Sequence, residues 1–223
     1  MIELIKKSDI EAVIFDMDGL LVNSEPLWHI AEKIVFKAVG VTLTEEDCLL
    51  TTGLPTKNVM EYWFERRPWK GKSTSELESD LFVEIKKLLA EHSEPMLGVL
   101  EALEFFKSQN LKIGLASASP MFLIDIVLEK LGIRPYFDFV HSATLEKNNK
   151  PHPDVYLSVA KYLEVPIRNC IIFEDSLNGV KGAVASGAKV IAVPEPHFFS
   201  SSAYDITPYK IPNLLEFHSV LDF

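Results

Sequence analysis

Five short apolar runs, each closed by polar or turn residues, constrain this chain more than any other feature. The first is Ala12-Val13-Ile14-Phe15, which stops at Asp16 and Gly19; the others occupy residues 111–116, 137–140, 170–173 and 190–193. Runs this short and this uniformly apolar suit strands buried on both faces. Helical periodicities lie between them, at about residues 122–131, 154–163 and 177–186. Strands alternating with helices imply a parallel, doubly wound α/β sheet.

The gap between the first two runs breaks that rhythm. From Glu25 to about Glu91 the pattern is helical throughout. Leu27, Ala31, Ile34, Val35 and Ala38 share one face, and residues 59–64 and 77–89 give two more helical stretches around the breaker segment Arg67-Pro68-Trp69-Lys70-Gly71. The expected organisation is a Rossmann-like α/β core at residues 1–19 and 95–223 with a helical cap at residues 20–94 inserted after the first strand. Such an insertion is expected over the carboxyl ends of the strands, where open α/β sheets bind ligands.

Composition narrows the class. The 223 residues are 48% hydrophobic and 24% charged, ordinary for a packed enzyme domain. A formal net charge of -10 argues against nucleic-acid binding, which needs clustered Lys and Arg. Cys48 and Cys170 lack metal-ligand spacing and read as reduced thiols. The first nine residues do not form a secretory signal, and no apolar window is long enough to span a membrane. A cytoplasmic monomer with no membrane partner is the expectation.

Four polar clusters stand at the ends of apolar runs: Asp16 with Asp18, Ser117 with Ser119, Lys150 before Pro151 and Pro153, and Glu174 with Asp175. Each has an ordinary reading as well. Asp-x-Asp-Gly is often a turn, the serines suit turns or caps, Lys150 suits a solvated loop, and Ser176 suits a helix N-cap. In a parallel sheet, however, strand ends share one edge and can converge on a cleft. Converged carboxylates repel, so such a site needs raised pKa values or a cation. Hard oxygen ligands beside a phosphate favour Mg2+, with Mn2+ or Co2+ as substitutes. Asp16 is then placed to attack phosphorus, Asp18 to exchange protons, and Ser117 and Lys150 to hold phosphate oxygens. Trp28, Trp63 and Trp69 read as core packing or as sugar platforms, and Lys57, Arg66 and Arg67 as solvated cations.

Together the segments Asp16-Met17-Asp18-Gly19, Leu115-Ala116-Ser117-Ala118-Ser119, Lys150-Pro151-His152-Pro153-Asp154 and Phe173-Glu174-Asp175-Ser176 resemble the haloacid dehalogenase superfamily. The resemblance implies Asp16 as nucleophile and Asp18 as acid/base. It also implies Ser117, Lys150 and the Ala118 amide as phosphate binders, with Ser119 facing the sugar. Asp16, the Asp18 carbonyl and Asp175 are the implied magnesium ligands, and Glu174 is a candidate further one. Ser24-Glu25-Pro26-Leu27-Trp28, Arg67-Pro68-Trp69 and Ala116-Ser117-Ala118-Ser119-Pro120 resemble the bacterial hexitol phosphatase type within it. That implies hexose and hexitol phosphates as substrates, such as 2-deoxyglucose 6-phosphate, while Pro55 departs from the type and leaves the preference open. A sugar phosphate mutase of the beta-phosphoglucomutase kind is the alternative. Its cap histidine would fall at Trp28, one residue before His29.

Overall fold

The computed structural model describes residues 3–223. The chain separates into two compact units. One runs to Val22 and resumes from Glu94 to Phe223; the other is Asn23–Ser93.

The first unit is built on a six-stranded parallel sheet. Its strands are β2 (Ala12–Phe15), β3 (Lys112–Ser117), β4 (Phe139–Ser142), β5 (Cys170–Glu174), β6 (Lys189–Ala192) and β7 (Tyr209–Lys210), in the order β4-β3-β2-β5-β6-β7. Two-residue strands β1 (Ile5–Lys6) and β8 (Leu221–Asp222) pair separately. Helices α5 (Val99–Ser108), α6 (Met121–Lys130), α7 (Asp154–Tyr162) and α8 (Leu177–Ser186) accompany the sheet. All residues of β2 and β5 are buried, as the apolar runs 12–15 and 170–173 require, with Glu174 buried at the end of β5, and Phe15 stacks on Phe173 with ring centroids 5.1 Å apart. An α/β fold with a parallel sheet is therefore present as expected.

Strand β4 begins two residues later than its apolar run suggests. It is an edge strand whose residues alternate between half-buried and buried, so an apolar run is a poor marker of it. Helix α5 lies outside the helical stretches expected above, although Val99, Ala102, Leu103 and Phe106 give it a full buried stripe.

The second unit is all-helical, with α1 (Glu25–Ala38), α2 (Glu45–Leu49), α3 (Thr56–Arg66) and α4 (Thr74–His92). Capping boxes start α2, at Thr44 and Asp47, and α4, at Ser73 and Glu76. Helix α4 buries Leu77, Leu81, Ile85 and Leu89 along one face, and its principal partners are α1 and α3. Trp63 and Trp69 are buried, which makes them packing residues. Arg67 is exposed, as expected, and is also paired. Its guanidinium forks onto both carboxylate oxygens of Asp47 at 2.7 and 2.8 Å and donates to the Thr42 carbonyl. Among the described residues no helix is long and apolar enough to cross a membrane.

Glu32 on α1 is a buried carboxyl in this unit. Its Oε2 is buried without a hydrogen-bond partner among the described residues, and burial, offset in part by a bond from Cys48 and reinforced by Glu25, pushes its pKa up to about 7. Between the unfolded value near 4.5 and this folded one, the native state keeps a proton that the unfolded chain has shed. Stability is therefore greatest below that window and is lost as pH rises through it. Glu32→Gln should match the wild type near pH 4.5 and exceed it by about 3 kcal/mol at pH 8, taking 1.36 kcal/mol per unit. Denaturant titrations across that range measure the difference, and an offset independent of pH would contradict the assignment.

Candidate active site

The carboxyl ends of β2, β3 and β5 bring three of the polar clusters to one edge, and the fourth, Lys150, reaches it from the loop before α7 and not from a strand end. After β2 the chain turns within Asp16–Val22, where the Met17 carbonyl accepts from the amides of Leu20, Leu21 and Val22. Gly19 makes this turn with a φ of +78°, and a Cβ there would lie 2.2 Å from Asp175 Oδ2. A glycine is thus required both by conformation and by the approach of β5's acidic end.

Lys150 is the hub. Its side chain is 6% exposed, and its Nζ donates to Asp16 Oδ1 at 2.5 Å, to Glu174 Oε1 at 2.5 Å and to the Ala116 carbonyl at 3.0 Å. One cation therefore ties together the ends of β2, β3 and β5. The reading of Lys150 as a solvated loop residue is excluded by this burial. Gly182 of α8 lets the loop that carries Lys150 come close, since a Cβ would meet the carbonyl oxygens of Pro151 and His152 at 3.1 and 3.0 Å.

Ser117 and Ser119 converge on the second carboxylate. Their hydroxyls donate to the same oxygen, Asp18 Oδ2, at 3.2 and 2.7 Å, and the Ser119 amide donates to Ser117 Oγ at 2.9 Å. Ser119 is thus engaged with Asp18 in this state of the protein. The Ser119 carbonyl in turn accepts from Ser142 Oγ at 2.6 Å, which braces the turn from β4. Ala118, between the two serines, is exposed.

Asp16, Glu174 and Asp175 are all buried, and one oxygen of each lies within 4.8 Å of the others. Burial, then the charge of Glu174, pushes the Asp16 carboxyl well above the usual range, against the pull of Lys150. Asp175 is driven up by burial, then by Asp16 and Glu174. For Lys150, burial opposes the charged form, but Asp16 and Glu174 outweigh it and hold the ammonium well above its ordinary value. Three carboxylates facing one ammonium leave a buried excess of negative charge, and Asp175 Oδ1 is buried with no hydrogen-bond partner among the described residues. Both observations fit a site that holds a hard divalent cation.

Two participants are not marked by the sequence clusters. Tyr156 lies on the buried face of α7 among Val155, Val159 and Ala160 and reads as a core aromatic, yet its hydroxyl donates to Glu174 Oε1 at 2.6 Å. The requirement that a buried tyrosine hydroxyl find a partner is the signal that points to it. Gly179 gives Glu174 room, because a Cβ there would lie 2.0 Å from Oε2.

Residues 13–193 match the family model described as haloacid dehalogenase-like hydrolase. The chain belongs to that family. Hexitol phosphatase B of Escherichia coli K12 is 38% identical over 206 residues, 92% of this chain and 93% of that protein. The phosphorylated carbohydrates phosphatase of Thermotoga maritima is 35% identical over 181 residues, covering 81% and 83%. Among solved structures, beta-phosphoglucomutase of Clostridium difficile superposes with a TM-score of 0.77 at 26% identity, covering 92% of each chain. Kinship of this extent with named phosphatases assigns the haloacid dehalogenase-like chain to the phosphatases of its family.

Proposed function

We propose that this phosphatase hydrolyses small phosphate monoesters of the hexose and hexitol class, 2-deoxyglucose 6-phosphate among them, with magnesium and through a phosphoaspartyl intermediate on Asp16. The observation that carries the reading is the buried junction in which Lys150 binds Asp16 and Glu174 at 2.5 Å each, beside an Asp175 oxygen without a partner among the described residues. The sugar phosphate class comes from the two phosphatase relatives, which act on hexitol phosphates and phosphorylated carbohydrates by name.

In the first step an Asp16 carboxylate oxygen bonds to phosphorus as the phosphorus–alkoxide bond breaks, and Asp18 gives its proton to the departing alcohol. Water then attacks phosphorus, Asp18 takes up its proton, and the bond to Asp16 breaks to release inorganic phosphate. Ser117 and Lys150 bind phosphate oxygens, and the Ala118 amide is a further donor. Ser119 aligns the Asp18 carboxyl. Asp16, the Asp18 carbonyl, Asp175 and Glu174 would hold Mg2+. When bound, the ion supplies positive charge that favours ionised Asp16 and offsets phosphate repulsion.

Hydrolysis is preferred to the mutase alternative because Trp28 stands at the mutase histidine position. The neighbouring His29 is engaged inside the helical unit, with Nδ1 2.5 Å from Glu45 Oε1 and Nε2 3.3 Å from Thr52 Oγ1.

A phosphate-release screen over sugar, polyol and nucleotide phosphates tests the reading. Hexitol or hexose phosphates should be turned over with Mg2+, lose turnover on chelation and regain it with Mg2+, Mn2+ or Co2+. No turnover of any ester, or a rate indifferent to chelation, would sink it. An isomerised sugar phosphate formed only with a sugar bisphosphate would establish the mutase instead.

A further inference from the structure

Glu174 is 0% exposed, and its two oxygens are not equivalent. Oε1 accepts from Lys150 Nζ at 2.5 Å and from the Tyr156 hydroxyl at 2.6 Å. Among the described residues Oε2 accepts only the longer bond from Ser176 Oγ, at 3.3 Å. The Tyr156 hydroxyl carries one proton, and its other neighbour, the Gly179 carbonyl, stands farther away at 3.2 Å. That proton therefore goes to the carboxylate. Tyr156 also carries Lys150 above its ring, with Nζ 5.3 Å from the centroid. A single fully buried tyrosine thus touches both the ammonium that binds Asp16 and the carboxylate that shares it.

We infer that Tyr156 is a positioning residue of the active site: its hydroxyl saturates Glu174 Oε1, which holds Lys150 against Asp16 and keeps Oε2 available for a cation. The inference rests on the phosphatase reading for its kinetic consequence, but its binding consequence stands on the acidic cluster alone. Without the hydroxyl, Oε1 keeps one donor, the carboxylate gains rotational freedom, and Lys150 is drawn further from Asp16 toward Glu174. Packing alone does not require the hydroxyl, because phenylalanine fills the same volume and keeps the ring beneath the ammonium.

The test compares the wild type with Tyr156→Phe, using Tyr162→Phe as a control on the exposed side of the same helix. Mg2+ binding to the substrate-free protein is measured by calorimetry, and kcat and KM are measured with the best substrate of the release screen. Tyr156→Phe is expected to stay folded by circular dichroism, bind Mg2+ at least threefold more weakly and lose about tenfold in kcat, with KM within twofold. Tyr162→Phe should match the wild type. Equal Mg2+ affinity and equal kcat in Tyr156→Phe would overturn the inference, as would a wild type that binds no Mg2+. A wild type that binds Mg2+ but releases no phosphate would overturn the functional reading, leaving Tyr156 to be decided by the binding isotherms. If Tyr156→Phe proves unfolded, the hydroxyl is needed for folding itself and the positioning role is rejected.

Discussion

Asp16→Asn is expected to lower phosphate release at least about 10³-fold while leaving the protein folded. The substitution is isosteric, and its amide oxygen can still accept the bond that Lys150 now donates to Asp16 Oδ1. What it removes is nucleophilicity. Stability should hold or rise, because burial and the Glu174 charge already disfavour the ionised Asp16 carboxyl. Single-turnover assays with saturating Mg2+ and thermal unfolding of the same samples separate the two effects. Turnover within tenfold of the wild type, in a protein of unchanged melting temperature, would mean that Asp16 is not the nucleophile.

Gly179→Ala is the second large effect, and it runs against helix propensity. Residue 179 lies in the first turn of α8, where alanine is intrinsically favoured over glycine by about 1 kcal/mol. The added methyl would sit 2.0 Å from Glu174 Oε2, 2.1 Å from Cδ and 2.3 Å from Oε1. This is not the free end of a mobile side chain, since Lys150 and Tyr156 hold the same carboxylate from the other side. Either Glu174 leaves its place or α8 shifts away from β5. The expected result is a net loss of about 1–3 kcal/mol, the usual range for overpacking, with turnover down about 100-fold. Chemical denaturation and the release assay measure the pair. A variant of wild-type stability and activity would show that the carboxylate can be displaced without consequence.

The parts of the site that the sequence makes most legible stand where an apolar run stops. Asp16, Ser117 and Glu174 each close such a run, so their place at the sheet edge follows once the strands are recognised. The contacts between them are less legible, because they depend on side-chain direction. Nothing in the spacing of Ser119 says that its hydroxyl meets Asp18, and Tyr156 carries the pattern of a core residue. The Arg67–Asp47 pair is hidden for the same reason, as it joins the residue that ends α3 to α2, twenty positions earlier in the chain. Strands β1, β7 and β8 are two residues long and leave too short a pattern to read.

The central position of β2 has a consequence for the order of synthesis. Ala12 pairs with Lys112 on one side and with Cys170 on the other, so neither neighbour of this strand exists when it leaves the ribosome. The helical segment Asn23–Ser93 is complete before the first partner is made. Asp16 and Asp18 are translated well before they gain their surroundings, since Lys150, Glu174 and Asp175 arrive only with the later part of the chain. A nascent chain that ends before Lys112 therefore carries the whole helical segment but only the first of the four clusters of the candidate site.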